Sequence, residues 1–182
     1  KRSLRLMAML TKNLYNAIRS AETDMLDTKK WGNNRWRRTS DNTVKNGSTA
    51  FGPVQLTGRR LEGQKFKDKD LQNYADRFLT QSKLFSIHGN KQNMKDYDPR
   101  LGYSNVNDPN AGVGMLTSKK DKEDYIKLTQ KMMENTLKRN KGNLDDFIID
   151  WRHGKNYIAK HGRKNIDKDY LDKVKAYLKA NP

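Results

Sequence analysis

Apolar residues return every three or four positions in five stretches of the chain, the spacing that lines one face of an α-helix. From Ser3 to Ala21 the stripe is Leu6, Met7, Leu10, Leu14, Ala17, Ile18 and Ala21, and Glu22 falls at or near the C-terminal end of the predicted helix. After a Gly52-Pro53 turn, Val54 to Leu61, which lacks that period, is read as the beginning of a short helix, and Asp70 to Ile87 predicts a long one through Leu71, Tyr74, Ala75, Phe78, Leu79 and Leu84. Ser118 to Lys138 opens with a Ser cap and an acidic first turn, carries Tyr125, Leu128, Met132, Met133 and Leu137, and stops before Asn140 and Gly142. Leu144 to Trp151 sets Phe147, Ile148 and Trp151 on one face, and Lys168 to Lys179 does the same with Tyr170, Leu171, Val174, Tyr177 and Leu178.

Two segments break the pattern. Asp27 to Thr49 is polar and aperiodic, rich in Asn and Gly, with Trp31 and Trp36 amid Arg35, Arg37 and Arg38. His88 to Gly114 carries Asp98-Pro99, Asp108-Pro109 and repeated Gly and Asn, which is turn chemistry. The expected architecture is mainly α with two polar loop or small β insertions. No repeat and no shift in composition divides the 182 residues, so a single domain over 1–182 is expected.

Composition changes this picture in three ways. The chain is 34% hydrophobic and 32% charged, yet eight Tyr, five Phe, three Trp and seven Met supply the bulk for a core. Cysteine is absent, which excludes disulfides and thiolate metal sites, and no stretch approaches the roughly 20 apolar residues of a membrane span. A net charge of +17 points to a polyanionic partner, either nucleic acid or the anionic bacterial envelope. The chain starts at Lys1 without an initiator Met, which suggests a piece of a longer polypeptide.

The chemistry centres on Glu22. It follows an apolar helix and precedes Asp24 and Asp27, where the core meets a polar, aromatic-bearing loop. Burial and the negative end of the helix dipole both favour the protonated form of such a carboxyl. A carboxylic acid kept protonated near neutrality is what a glycosidase uses to protonate a leaving oxygen. The ordinary alternative is a solvated residue at a helix end.

The segment Gly47-Ser48-Thr49-Ala50-Phe51-Gly52-Pro53-Val54-Gln55-Leu56 resembles an element of the lytic transglycosylase and goose-type lysozyme superfamily. There, Ser/Gly-x-x-Gly-x-x-Gln-Leu/Ile follows a helix that ends in the catalytic Glu. The order is the same here, with Thr23 where the family has Ser after the acid. Gln55 stands 33 positions after Glu22, a longer separation that implies an insertion. Leu144 to Gly154 is similar to the family's Ala-Ala-Tyr-Asn-x-Gly helix end, with Trp151 in place of Tyr, Arg152 in place of Asn, and Gly154 matching.

The resemblance implies a lysozyme-like α+β domain that cuts the β-1,4 bond between N-acetylmuramic acid and N-acetylglucosamine in peptidoglycan. Glu22 would be the single acid/base, giving a 1,6-anhydro product and needing no cofactor. Ser48, Phe51 and Gln55 would contact the glycan, with Trp31, Trp36 and Trp151 as stacking platforms. Hydrolysis with inversion needs a second carboxylate about 6.5–9.5 Å from the first, for which Asp24, Asp27 and Asp41 are candidates. His88, His153 and His161 show no metal-ligand spacing, so no metal is expected. The expected setting is a bacteriophage virion, with contacts to other virion subunits, or the bacterial periplasm and cell wall. Two non-enzymatic readings stay open: a basic nucleic-acid-binding virion protein, and a silent wall-binding module.

Overall fold

The structure, a computed structural model, describes residues 2–23, 52–88 and 119–182, and among them it is mainly helical with no strand. The helices are α1 (Arg2–Thr23), α2 (Gly58–Leu61), α3 (Lys69–His88), α4 (Lys119–Arg139), α5 (Leu144–His153), α6 (Tyr157–His161) and α7 (Lys168–Ala180). Both expected polar insertions lie outside the described residues, apart from His88, which closes α3. No helix among the described residues is long and apolar enough to cross a membrane. The chain divides into two compact units, Lys1–Met25 with Thr129–Pro182, and Leu26–Leu128, so that α4 contributes to both.

In the first unit α1 packs against α7, and α5 against α6 and α7. The buried positions of α1 are Thr11, Leu14, Tyr15, Ala17 and Ile18, and α7 returns Tyr170 and Val174 one turn apart. Burial pushes the Tyr15 phenol far above its ordinary range, so it stays neutral inside the core. The buried stripe of α4 runs Tyr125, Leu128, Thr129, Met132, Met133, Thr136 and Leu137, an unbroken alternation of three- and one-residue steps. Its first two members serve the second unit and the rest the first.

Helix α4 ends by its own chemistry. Lys141 takes a left-handed φ of 54°, which lets the Gly142 N–H reach the Leu137 carbonyl (2.9 Å) and the Lys141 N–H reach that of Lys138 (3.0 Å). Asn143 then caps α5, its side-chain oxygen accepting from the Asp146 N–H at 2.9 Å. The corner is locked by Asp150 of α5, whose carboxylate receives Arg139 Nη2 at 2.8 Å, Arg139 Nε at 3.1 Å and Asn140 Nδ2 at 2.9 Å. Because Asp150 is buried, removing its carboxylate leaves these donors stranded. Asp150→Ala is expected to destabilise the protein by about 2–3 kcal/mol, read as a lower urea midpoint at unchanged slope, with Asp150→Asn costing less.

In the second unit, Asp68 caps α3 by accepting from the N–H groups of Asp70 (2.9 Å) and Leu71 (3.3 Å). Leu71, Tyr74, Ala75 and Phe78 of α3 form a core with Val54, Leu56, Leu61, Tyr125 and Leu128. Val54 to Leu61, expected as one short helix, is instead a tight turn followed by the single turn of α2. Pro53 breaks helical hydrogen bonding there, and the Gly52 carbonyl accepts the Gln55 N–H at 3.0 Å.

Candidate active site

Glu22 sits in the last turn of α1, and its side chain is only 11% exposed. The stripe of α1 turns the helix so that Ile18, one turn earlier on the same side, is fully buried. Thr23, the residue after the acid, donates its hydroxyl to the Arg19 carbonyl at 3.1 Å, a bond any Ser or Thr can make at this place.

Facing Glu22 is a cation that the sequence reading did not pair with it. Arg152 Nη1 lies 3.9 Å from Glu22 Oε1, while Arg152 Nε donates to Asp167 Oδ2 at 3.1 Å and the guanidinium covers the Tyr170 ring at 5.1 Å. Arg152 occupies the last turn of α5, which ends at Gly154 (φ 105°), the position matched to the family's helix-end glycine. Asn would offer a hydrogen bond at Arg152's position. Arg adds a charge that stabilises the ionised form of a neighbouring carboxyl.

Arg152 is itself held in place. Asp167 caps α7 by accepting from the Tyr170 N–H at 3.0 Å, and its own N–H donates to His153 Nε2 at 2.9 Å. The Tyr170 N–H first, and then Arg152, hold the Asp167 carboxyl below its usual range against the opposing effect of burial. A carboxyl depressed in the folded state stabilises the fold above the ordinary carboxylate range of about 4 and loses that contribution as pH falls through the lower folded value. Asp167→Ala is therefore expected to cost about 1 kcal/mol at neutral pH. The difference from wild type should fade in melts taken on the acid side of that range.

The remaining candidates fall into three groups. Trp151 is 3% exposed and stacks on Phe147 at a centroid distance of 6.3 Å, so its ring is part of the core and offers no face to a pyranose. This corrects the stacking role expected from the resemblance. Gln55 is half-buried in the second unit with a left-handed φ of 51°, and its Nε2 donates to the Gly52 carbonyl at 3.0 Å, closing its own turn. Ser48, Phe51, Trp31, Trp36, Asp24, Asp27 and Asp41 lie outside the described residues.

Gly52 is constrained more sharply than the sequence suggested. Its φ is +78°, and a Cβ there would lie 2.4 Å from Cζ of Tyr125. The Tyr125 hydroxyl accepts the Val54 N–H at 3.4 Å, so the ring and the turn are fixed to each other.

A cleft of about 400 Å³ lies elsewhere in the second unit, lined by Asp68, Asp70, Lys119, Lys120, Glu123 and Asp124 among others. Lys120 bridges Asp124 (2.9 Å) and Asp70 (3.6 Å), and these neighbours, Asp124 first, raise its proton affinity. Charges of both signs compensate one another there, which does not prepare an acid. Among the described residues no group of three or more His, Asp or Glu side chains is arranged to hold a metal ion. The chain matches no protein-family model, no curated protein and no solved structure.

Proposed function

We propose that this chain cleaves the glycan strands of bacterial peptidoglycan at the β-1,4 bond between N-acetylmuramic acid and N-acetylglucosamine, with Glu22 as the acid/base. The observation that carries the reading is the placement of Glu22: a largely enclosed carboxyl in the final turn of a long amphipathic helix. It is supported by the Gly52-Pro53-Val54-Gln55 turn downstream and by the Gly154 helix end that carries Arg152.

In this mechanism the Glu22 carboxyl gives its proton to the glycosidic oxygen as the bond to the muramyl anomeric carbon breaks. Arg152 stabilises the carboxylate left behind and so serves the base step that follows, while enclosure and the helix end favour the protonated form that starts the reaction. That carboxylate then takes the proton of the muramyl C6 hydroxyl while its oxygen closes on the anomeric carbon, giving the 1,6-anhydro ring and returning Glu22 to its starting form. One carboxyl serves both steps, whereas hydrolysis draws on a second carboxylate for water, with Asp24, Asp27 and Asp41 as candidates. The place of action is the bacterial wall, reached from a phage virion or from within the periplasm.

The test is digestion of purified peptidoglycan with the intact chain, followed by mass analysis of the soluble products. Products lighter by one water than the hydrolytic muropeptides establish the anhydro route. Reducing ends establish a lysozyme on the same acid, and no release of glycan overturns the reading.

A further inference from the structure

The half-buried ring of His153, in the last turn of α5, is held in one plane and one protonation state. Tyr157 stacks on it at 4.2 Å with 17° between the planes, and the Tyr157 hydroxyl is tied to the Asn165 carbonyl at 3.1 Å. In that plane Nε2 lies 2.9 Å from the main-chain nitrogen of Asp167. A main-chain N–H only donates, so Nε2 is the acceptor and the neutral ring carries its proton on Nδ1. An imidazolium has a proton on both nitrogens and accepts nothing. The bond therefore exists only while His153 is neutral.

What depends on this bond is Asp167, which is tied in three directions. Its N–H goes to His153, its Oδ1 accepts from the Tyr170 N–H at 3.0 Å, and its Oδ2 accepts from Arg152 Nε at 3.1 Å. Arg152 Nη1 in turn stands 3.9 Å from Glu22 Oε1, beyond hydrogen-bond range, so Asp167 holds the guanidinium just short of the acid. The charged groups around His153 are Arg152, its neighbour on α5, with Glu22 of α1 behind it, and the Asp167 carboxyl that leads into α7. From α6 it meets the Tyr157 ring, which also touches His161 at 4.8 Å. After the Tyr170 N–H and Arg152, a charged His153 is the next influence that holds the Asp167 carboxyl low, so ring and carboxyl sense each other's charge.

We propose that His153 is a proton-switched positioning residue for Glu22: neutral, it pins Asp167 and keeps Arg152 back from the acid; protonated, it draws the Asp167 carboxylate to itself and releases Arg152 onto Glu22. No helix has to move, because Nε2 passes from acceptor to donor beside a carboxylate that it already adjoins. An arginine closed onto Glu22 favours the carboxylate and withholds the proton that starts cleavage. An unperturbed imidazole changes charge at about pH 6.5, so the switch answers to mild acidification. Its consequence for cleavage rests on the reading of Glu22 given above, whereas the switch itself rests on the geometry of His153, Asp167 and Arg152.

The test follows the full chain by NMR from about pH 8 to about pH 5, the range that brackets an imidazole. Two variants accompany it: His153→Gln keeps an acceptor oxygen but cannot titrate, and His153→Phe keeps a ring against Tyr157 but accepts nothing. At the alkaline end the wild-type ring should show a bare Nε2 and a protonated Nδ1. As the ring titrates, the Asp167 amide should lose about fivefold of its protection from hydrogen exchange, corrected for the intrinsic pH dependence, and the Arg152 Nε–H resonance should move with the same midpoint. His153→Gln should hold both signals at their neutral-form values at every pH, and His153→Phe should leave the Asp167 amide unprotected throughout. A proton on Nε2 at the alkaline end, an Arg152 signal that ignores the ring, or a midpoint that survives in His153→Gln overturns the switch. If His153→Phe does not fold, wild type and His153→Gln still decide. Digestion of peptidoglycan over the same range reads the link to Glu22. Cleavage that falls about threefold with the midpoint of the ring in wild type, and stays level in His153→Gln, supports it; the same acid limb in both overturns it. No cleavage at any pH, with both signals still following the ring, removes the wall-cleaving reading and leaves the proton switch on Arg152 standing.

Discussion

Glu22→Gln is expected to lower the rate of peptidoglycan cleavage by about 10²–10⁴-fold, the range that a positioned general acid contributes. Gln preserves the volume and one carbonyl oxygen facing Arg152, but it can neither give up the proton nor accept it back. The ion pair lost with it is long, at 3.9 Å, and its arginine is 43% exposed and also bound to Asp167. The share of the stability cost that comes from this ion pair should therefore stay within about 1 kcal/mol. A large fall in activity with an unchanged melting curve assigns Glu22 to the chemistry. A fall in melting temperature with cleavage intact makes Glu22 only a structural counter-ion for Arg152, and the enzyme reading then loses its acid.

The second element of that experiment, the arginine, was hard to read from the sequence for a physical reason. Periodicity reports which face of a helix is buried, and it did so for the second half of α1, where Leu14, Ala17 and Ile18 are fully buried, but not at Leu10, which is exposed while Thr11 and Tyr15 are buried; for α4 the stop at Asn140 and Gly142 follows from turn chemistry. It carries no information on which helix end meets which, so the approach of Arg152 to a carboxyl 130 positions earlier stayed hidden. The alignment of Leu144–Gly154 with a family helix end held a signal, since it put a charged residue where the family has Asn.

For Trp151 two signals competed. The alignment suggested a sugar platform, whereas its place four residues after Phe147 on the same face predicted core, and the structure follows the spacing. Helix α6 was missed because a single turn of five residues has no apolar period to detect; contacts between Tyr157 and its two histidines mark it instead. The turn at Gly52 was anticipated from Gly-Pro, but its buried neighbour was not, because Tyr125 lies 73 positions further along the chain.

That neighbour makes Gly52→Ala the substitution with the largest expected effect on stability, a loss of about 2–5 kcal/mol. One part is backbone: at φ +78° an L-residue with a Cβ costs about 1–2 kcal/mol more than glycine. The other is overpacking, typically about 1–3 kcal/mol. The new methyl carbon would stand 2.4 Å from Cζ, 2.5 Å from Oη and 2.7 Å from Cε2 of Tyr125, a ring that is fully buried and cannot swing aside. A double-mutant cycle separates the two parts. Tyr125→Leu removes the ring atoms that clash, so adding it to Gly52→Ala should return the overpacking share while leaving the backbone share in place. Within the family resemblance the glycine has another explanation, close approach of the backbone to the glycan, and the same cycle distinguishes them. If Gly52→Ala folds as well as wild type but digests peptidoglycan poorly, the missing side chain made room for substrate. If it loses stability and Tyr125→Leu restores part of it, the hydrogen at Gly52 is there because the aromatic ring of α4 needs the space, and the turn that presents Gln55 is set by packing before any sugar arrives.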